Sequence, residues 1–249
     1  MLIHGFPASG QLWNPVIEQL SNYCTLLIPD LPGTGKSLLD QEQTSIEQLA
    51  GILPAILEHA GIEKCCVAGH SMGGYIGLAA AELYPEKIQG LALLHSTAAP
   101  DSDERKVKRK KSIELIHKGG TEAFLNASIP DLFARQFKQD HPEAILNQIN
   151  EALTIAPITL IAFYNAMMER PDRVEVLRRA HFPIMFILGK DDLIIPYQSV
   201  LQQCTVSAVS FIKLYGASAH MSMIEEKEIL QSDLLNFVNY CLYRAEPAH

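Results

Sequence analysis

Cys65-Cys66-Val67-Ala68-Gly69-His70-Ser71-Met72-Gly73-Gly74-Tyr75 joins a short apolar β-type run to a segment that carries no charge before Glu82. The pattern predicts a buried strand, a sharp turn and a buried helix, with Ser71 at the turn. A G-x-S-x-G in that setting is a nucleophile elbow. Glycines flank the serine because the turn leaves little room for Cβ atoms between strand and helix. The hydroxyl is thrust clear of the sheet, beside a helix N-terminus whose free N–H groups can stabilise a developing anion.

A serine at neutral pH needs a base, and the base needs an orienting acid. Pro183–Leu188 is an apolar run ending in Gly189-Lys190-Asp191-Asp192-Leu193-Ile194-Ile195-Pro196, so two aspartates follow a predicted strand. Val209–Leu214 is another, followed by a small-residue loop and His220. All three side chains then lie beyond the carboxyl ends of parallel strands, where open α/β sheets place their sites.

These residues carry a resemblance to the α/β-hydrolase superfamily, in its cap-bearing serine esterase-like branch. His4-Gly5-Phe6-Pro7 resembles the family's oxyanion loop and Asp30-Leu31-Pro32-Gly33-Thr34-Gly35-Lys36-Ser37 its D-x-P-G-x-G-x-S loop. Gly189-x-x-Asp192 with Pro196 resembles the acid loop, and His220 with Glu225 the histidine loop. The chain order Ser71, Asp192, His220 is also the family's. The resemblance implies Ser71 as nucleophile, His220 as base and Asp192, three residues after Gly189, as the acid. It also implies an oxyanion hole from the Phe6 and Met72 N–H groups, and neither metal nor organic cofactor. A serine at the elbow disfavours the dehalogenase and epoxide-hydrolase branches, which use aspartate there.

Composition agrees with one α/β domain bearing an insertion: 249 residues, 48% hydrophobic and 19% charged. A net charge of −8 argues against nucleic-acid binding, and no run is long enough for a membrane span. No secretory signal is visible, and the five cysteines lack metal-ligand spacing, so a cytoplasmic protein with reduced thiols is expected.

Six parallel strands are expected, beginning near Met1–His4, Cys24–Ile28, Cys65–Gly69, Leu91–His95, Ile184–Leu188 and Val209–Leu214. Helices should cover both faces. Relatives usually carry two further strands before the oxyanion loop, whereas here three residues precede His4. Cys24–Ile28 should then be an exposed apolar edge, completed by more chain or covered by a partner, as in a homodimer. Ser45-x-x-Gln48 predicts a capping box on a helix that Pro54 should kink.

The interval 97–181 is too long for an ordinary connection and has helical content, so it is expected to form a cap between core segments 1–96 and 182–249. Phe124, Phe133, Phe163 and Met167 are its expected substrate contacts, among aromatic and sulfur-bearing residues that also include Phe137, Tyr164 and Met168.

Other features have plainer readings. Gly33–Ser37 imitates the tail of a phosphate-binding loop, but Asp30 stands where its first glycine belongs. The basic run 105–111 reads as a solvated helix, and His95, at a strand end, as a hydrogen-bonded structural histidine with a substrate contact as the alternative. His59, His117, His141, His181 and His249 read as surface or packing residues, and Trp13 as the anchor of the first helix.

The expected function is hydrolysis of carboxylic esters of small or medium apolar substrates through an acyl-enzyme. The alternatives are carbon–carbon bond hydrolysis, cofactor-free lyase or perhydrolase chemistry with the same triad, or a non-catalytic ligand-binding protein on this scaffold.

Overall fold

A computed structural model describes residues 1–38 and 44–243 of the chain, leaving His249 outside, and describes Tyr243 by its backbone alone. Its centre is a parallel sheet of five strands: β1 Leu2–Ile3, β2 Cys65–His70, β3 Ile88–Leu94, β4 Ile184–Gly189 and β5 Ser210–Tyr215. They lie side by side in chain order. β2, β3 and β4 are almost wholly buried, as continuous apolar runs covered on both faces demand.

The sixth expected strand does not form. Cys24–Ile28 runs beside β1, yet its one backbone bond to that strand is Leu2 N–H to the Leu27 carbonyl, 2.8 Å. Leu26, Leu27 and Ile28 stay half-buried. A segment with a partner on one side only, and that partner a two-residue strand, has no ladder to join.

Helices α1 Asn14–Ser21, α2 Ile46–Ala50, α3 Ile52–His59 and α4 Met72–Leu83 fill the first half. Trp13, fully buried, sits immediately before α1. The Ser45–Gln48 capping box is present. The expected kink at Pro54 is instead a break after Ala50, because proline offers no N–H to the Ala50 carbonyl and its ring crowds that oxygen.

Between β3 and β4 come six α-helices: α5 Asp103–His117, α6 Thr121–Ser128, α7 Arg135–Asp140, α8 Pro142–Ala152, α9 Pro157–Glu169 and α10 Val174–Arg179. A 3₁₀ turn at Ile129–Leu132 precedes α7. α11 Tyr197–Val200 follows β4, and α12 Ser222–Glu225 and α13 Lys227–Tyr243 follow β5. α13 buries Leu230, Leu234, Phe237 and Cys241. Among the described residues no single helix is long and apolar enough to cross a membrane.

The contact that locks sheet to helix is glycine against backbone. A Cβ on Gly69 would lie 2.2 Å from the Gly73 carbonyl oxygen, and one on Gly73 would lie 2.2 Å from the Ile3 carbonyl oxygen. Neither obstacle is a movable side-chain tip. Gly73→Ala is expected to cost about 1–3 kcal/mol through overpacking. Urea unfolding would record this as a lower midpoint, and an unchanged midpoint would contradict the close approach.

Candidate active site

Ser71 stands between β2 and α4 with φ 51° and ψ −113°, a conformation that L-residues rarely hold. Neighbouring groups hold it there. Its N–H donates to the Leu94 carbonyl at 2.8 Å, and its own carbonyl accepts from Ser96 Oγ at 2.8 Å and Gly74 N–H at 2.9 Å. Met72 opens α4, so its N–H has no acceptor within the helix. The Phe6 N–H meets no backbone acceptor among the described residues either.

His4 ties the Phe6 loop down. Its Nδ1–H donates to the Gly5 carbonyl at 2.9 Å, while Nε2 lies 3.1 Å from both the Leu31 N–H and Thr34 Oγ1. Burial pushes the His4 imidazole down to about 4, so it is neutral as this pattern requires. Asp30 folds the next loop, accepting Gly10 and Lys36 N–H groups at 2.9 Å each. A Cβ on Gly35 would lie 2.3 Å from that carboxylate, so an aspartate occupies the space a phosphate would need.

Asp192 and His220 meet. Asp192 Oδ2 accepts His220 Nδ1–H at 2.8 Å, and Oδ1 accepts the Ile194 and Ile195 N–H groups at 2.8 Å each. Asp191 is exposed. Burial alone would push the Asp192 carboxyl up, but His220 and His95 outweigh it and hold it far below the ordinary carboxylate range. The His220 ring centre lies 4.9 Å from that of His70, the residue before Ser71. Among the described residues Ser71 and His220 share no hydrogen bond, and catalytic contacts of this kind commonly tighten only on substrate.

The backbone of His220 is clamped from two sides. His70 Nε2–H donates to its carbonyl at 2.8 Å, and its N–H donates to the Leu132 carbonyl at 2.9 Å. Glu225 fixes the same loop, accepting Ser218 Oγ–H, Ala219 N–H and Met221 N–H on one oxygen and Ala134 N–H on the other. Leu132 and Ala134 belong to the inserted helices, so the histidine loop is bonded to that insertion.

The expected substrate contacts divide. Phe124 is buried, with its ring centre 6.4 Å from Phe6. Phe133 follows Leu132 and stacks on Phe137 at 5.7 Å. Phe163 and Met167 are buried in α9. Tyr164, on the same helix, sits nearer the Phe6 loop, 4.5 Å from Phe6 between ring centres. In the basic run, Arg109 turns inward instead of facing solvent, and with Arg170 it binds the buried Asp101, at 2.6 and 2.8 Å. The uniform charge of the run hides this, and Arg170 comes to Asp101 from 69 residues away.

His95 is a hydrogen-bonded structural histidine at a strand end, as the sequence reading has it, but its partners carry no sequence signal. Its ring is wholly buried between Asp192 and Ser222. The nitrogens of His95 and His220 with a carboxylate oxygen of Asp192 lie within 4.8 Å of one another, a donor set able to ligate a metal. In this structure His220 Nδ1 is already engaged by Asp192.

A family model described as "alpha/beta hydrolase fold" matches residues 1–114. An esterase from Thermogutta terrifontis superposes with a TM-score of 0.91 at 27% identity, over 96% of this chain and 89% of that one. The chain has the α/β-hydrolase fold. It is 27% identical over 244 residues to a protein of Pseudomonas savastanoi pv. phaseolicola named "Putative carbamate hydrolase RutD", covering 96% of this chain and 93% of the relative. It also shares its fold with the enol-lactonase of Burkholderia xenovorans LB400, with a TM-score of 0.88 at 22% identity over 96% and 90% of the two chains.

Burial also holds His70 and His95 below the ordinary imidazole range. The unfolded chain therefore takes up protons between about pH 6.5 and 4 that these three folded histidines refuse. Stability falls as pH drops through that window, by about 3 kcal/mol for His4 alone at its lower end. Burial raises Glu225, which opposes this with one proton, and the depressed Asp192 withdraws its stabilisation only at lower pH. Urea midpoints at pH 7 and 4.5 should show the loss, and equal midpoints would contradict it.

Proposed function

We propose that this protein is a serine hydrolase cleaving carboxylic esters of small or medium apolar substrates. The observation carrying the reading is the Asp192–His220 bond of 2.8 Å beside a serine at a strand-to-helix elbow. His220 Nε2 takes the Ser71 proton as Oγ attacks the acyl carbon, and Asp192 holds the tautomer and stabilises the imidazolium. The Met72 and Phe6 N–H groups receive the oxyanion, each such donor contributing about 3–4 kcal/mol to the transition state. His220 then protonates the leaving alcohol, and water, activated by the same imidazole, releases the acid.

In this reading residues 97–181 are a cap over Ser71, with Phe124, Phe133 and Tyr164 as its apolar underside and Phe163 and Met167 behind them. Half-buried Arg109 and buried Arg170 engage Asp101, and buried Arg173 pairs with Glu47 and Glu82, which speaks against a cap built to hold an anionic substrate. The five free thiols suit a reducing cytoplasm. A second reading, cleavage of a carbamate by the same acyl transfer, is favoured by the name of the Pseudomonas relative.

Hydrolysis of p-nitrophenyl esters from acetyl to palmitoyl, beside a p-nitrophenyl carbamate, tests both readings. Each of the first few methylenes should raise kcat/KM several-fold, since a buried CH₂ contributes about 0.8 kcal/mol. The rate should then fall as the chain meets the cap. A flat profile, or a jump on emulsified long-chain fat, would refute the capped pocket, and a preference for the carbamate would favour the second reading. Asp192→Asn should lower kcat by about 10⁴, the loss seen when the imidazole is held in the wrong tautomer. Asp191→Asn should cost far less, and a reversed order would contradict the assignment.

A further inference from the structure

The carboxylate of Asp192 faces a second imidazole that the acyl-transfer scheme leaves without a role. His95 Nδ1 lies 3.3 Å from Asp192 Oδ2, long for a hydrogen bond, and this buried nitrogen has no other partner among the described residues. On the far side of the ring, Nε2 lies 2.8 Å from Ser222 Oγ. Ser222 is two residues beyond His220, in the turn that carries it. One ring therefore spans the ends of three strands: β3 through its own backbone, β4 through Asp192 and β5 through Ser222.

The backbone is bent to achieve this. His95 has φ 49°, one of two positive-φ non-glycine residues among the described ones, the other being Ser71. A left-handed histidine is uncommon and strained, so surrounding contacts must hold it. The His95 N–H donates to the Ile187 carbonyl at 2.8 Å, keeping β3 and β4 in register up to the turn.

We propose that His95 is a positioning residue: with Ser222 Oγ–H donating to Nε2, its Nδ1–H faces Asp192 Oδ2 and tempers the carboxylate that His220 leans on. The inference rests on the serine-hydrolase reading above. Neutral His95 keeps one proton, and the Ser222 hydroxyl assigns it to Nδ1. Burial, which holds this imidazole low, keeps it a neutral donor. The other titratable groups around the pair are His70 at the end of β2 and Glu225 in the histidine loop. Without the donor the carboxylate is less stabilised, so it binds the His220 imidazolium more strongly. A higher pH is then needed to free the base.

The test is the rate of fluorophosphonate labelling against pH for the wild-type protein, His95→Leu and His95→Asn. His95→Leu should move the acidic limb up by about half a pH unit, slowing labelling about threefold below the limb. His95→Asn should restore the limb, because its amide N–H reaches toward the same oxygen and asparagine tolerates φ > 0. A merely structural role would lower the rate at every pH and leave the limb in place, which would overturn the proposal. If His95→Leu does not fold, Ser222→Ala removes the group that fixes the tautomer and should move the limb the same way, with an unmoved limb again overturning it. If the wild-type protein does not label, the serine-hydrolase reading fails separately. The low-field proton resonance of the Asp192–His220 bond then decides: a downfield move in the His95 or Ser222 variant supports the donor role, and an unmoved resonance overturns it.

Discussion

The approach of α4 to β2 and β1 is the constraint on which everything else depends. Backbone touches backbone there, because Gly69 and Gly73 have no Cβ and because Ser71 accepts a left-handed conformation. The arrangement turns the chain out of the sheet within one residue and points the start of a buried helix at the same spot. It also sets β1 against that helix, since the Ile3 and His4 carbonyls are what a Cβ on Gly73 would strike. The Phe6 loop that follows β1 is thereby brought to the elbow, and His4 stitches it to the loop of Asp30. Strain at one residue is held by packing on three sides.

The second organising feature is a buried carboxylate with donors from different strand ends. Asp192 takes two N–H groups of its own loop and the imidazole of His220, and it faces His95. A lone buried carboxylate is costly, and this one is kept ionised by the groups that surround it. Glu225 does related work one layer out, gathering N–H groups of the histidine loop and of Ala134 in the inserted helices. His220 is therefore mechanically joined both to the sheet and to the inserted segment.

Much of this was legible in the sequence, for definite reasons. Buried parallel strands read as apolar runs, and the elbow reads as glycines around a serine, so β2 to β5 and α4 are visible from pattern alone. The resemblance to the family's acid loop picks Asp192 over Asp191, and the structure brings Asp192 to His220 while Asp191 faces solvent. Cys24–Ile28 reads as a strand because its residues are apolar, but pairing depends on neighbours that a local pattern does not contain. Pro54 marks a disturbance without saying whether the helix bends or stops. Arg109 turns inward to Asp101, which lies just before its own helix, and the role of His95 depends on partners far along the chain. His95 and Asp192 are 97 positions apart, and no periodicity links them. The helical content of the insertion is readable, while the faces its helices turn inward are set by packing, which puts Tyr164 rather than Phe163 against Phe6.

The central claim is that one serine, strained at the elbow and served by the Asp192–His220 pair, carries the chemistry. Peptide mapping by mass spectrometry after fluorophosphonate treatment tests it most directly. The account predicts a single phosphonylated peptide, modified at Ser71 and absent in Ser71→Ala. Modification at another serine, or none while esters are still turned over, would contradict it.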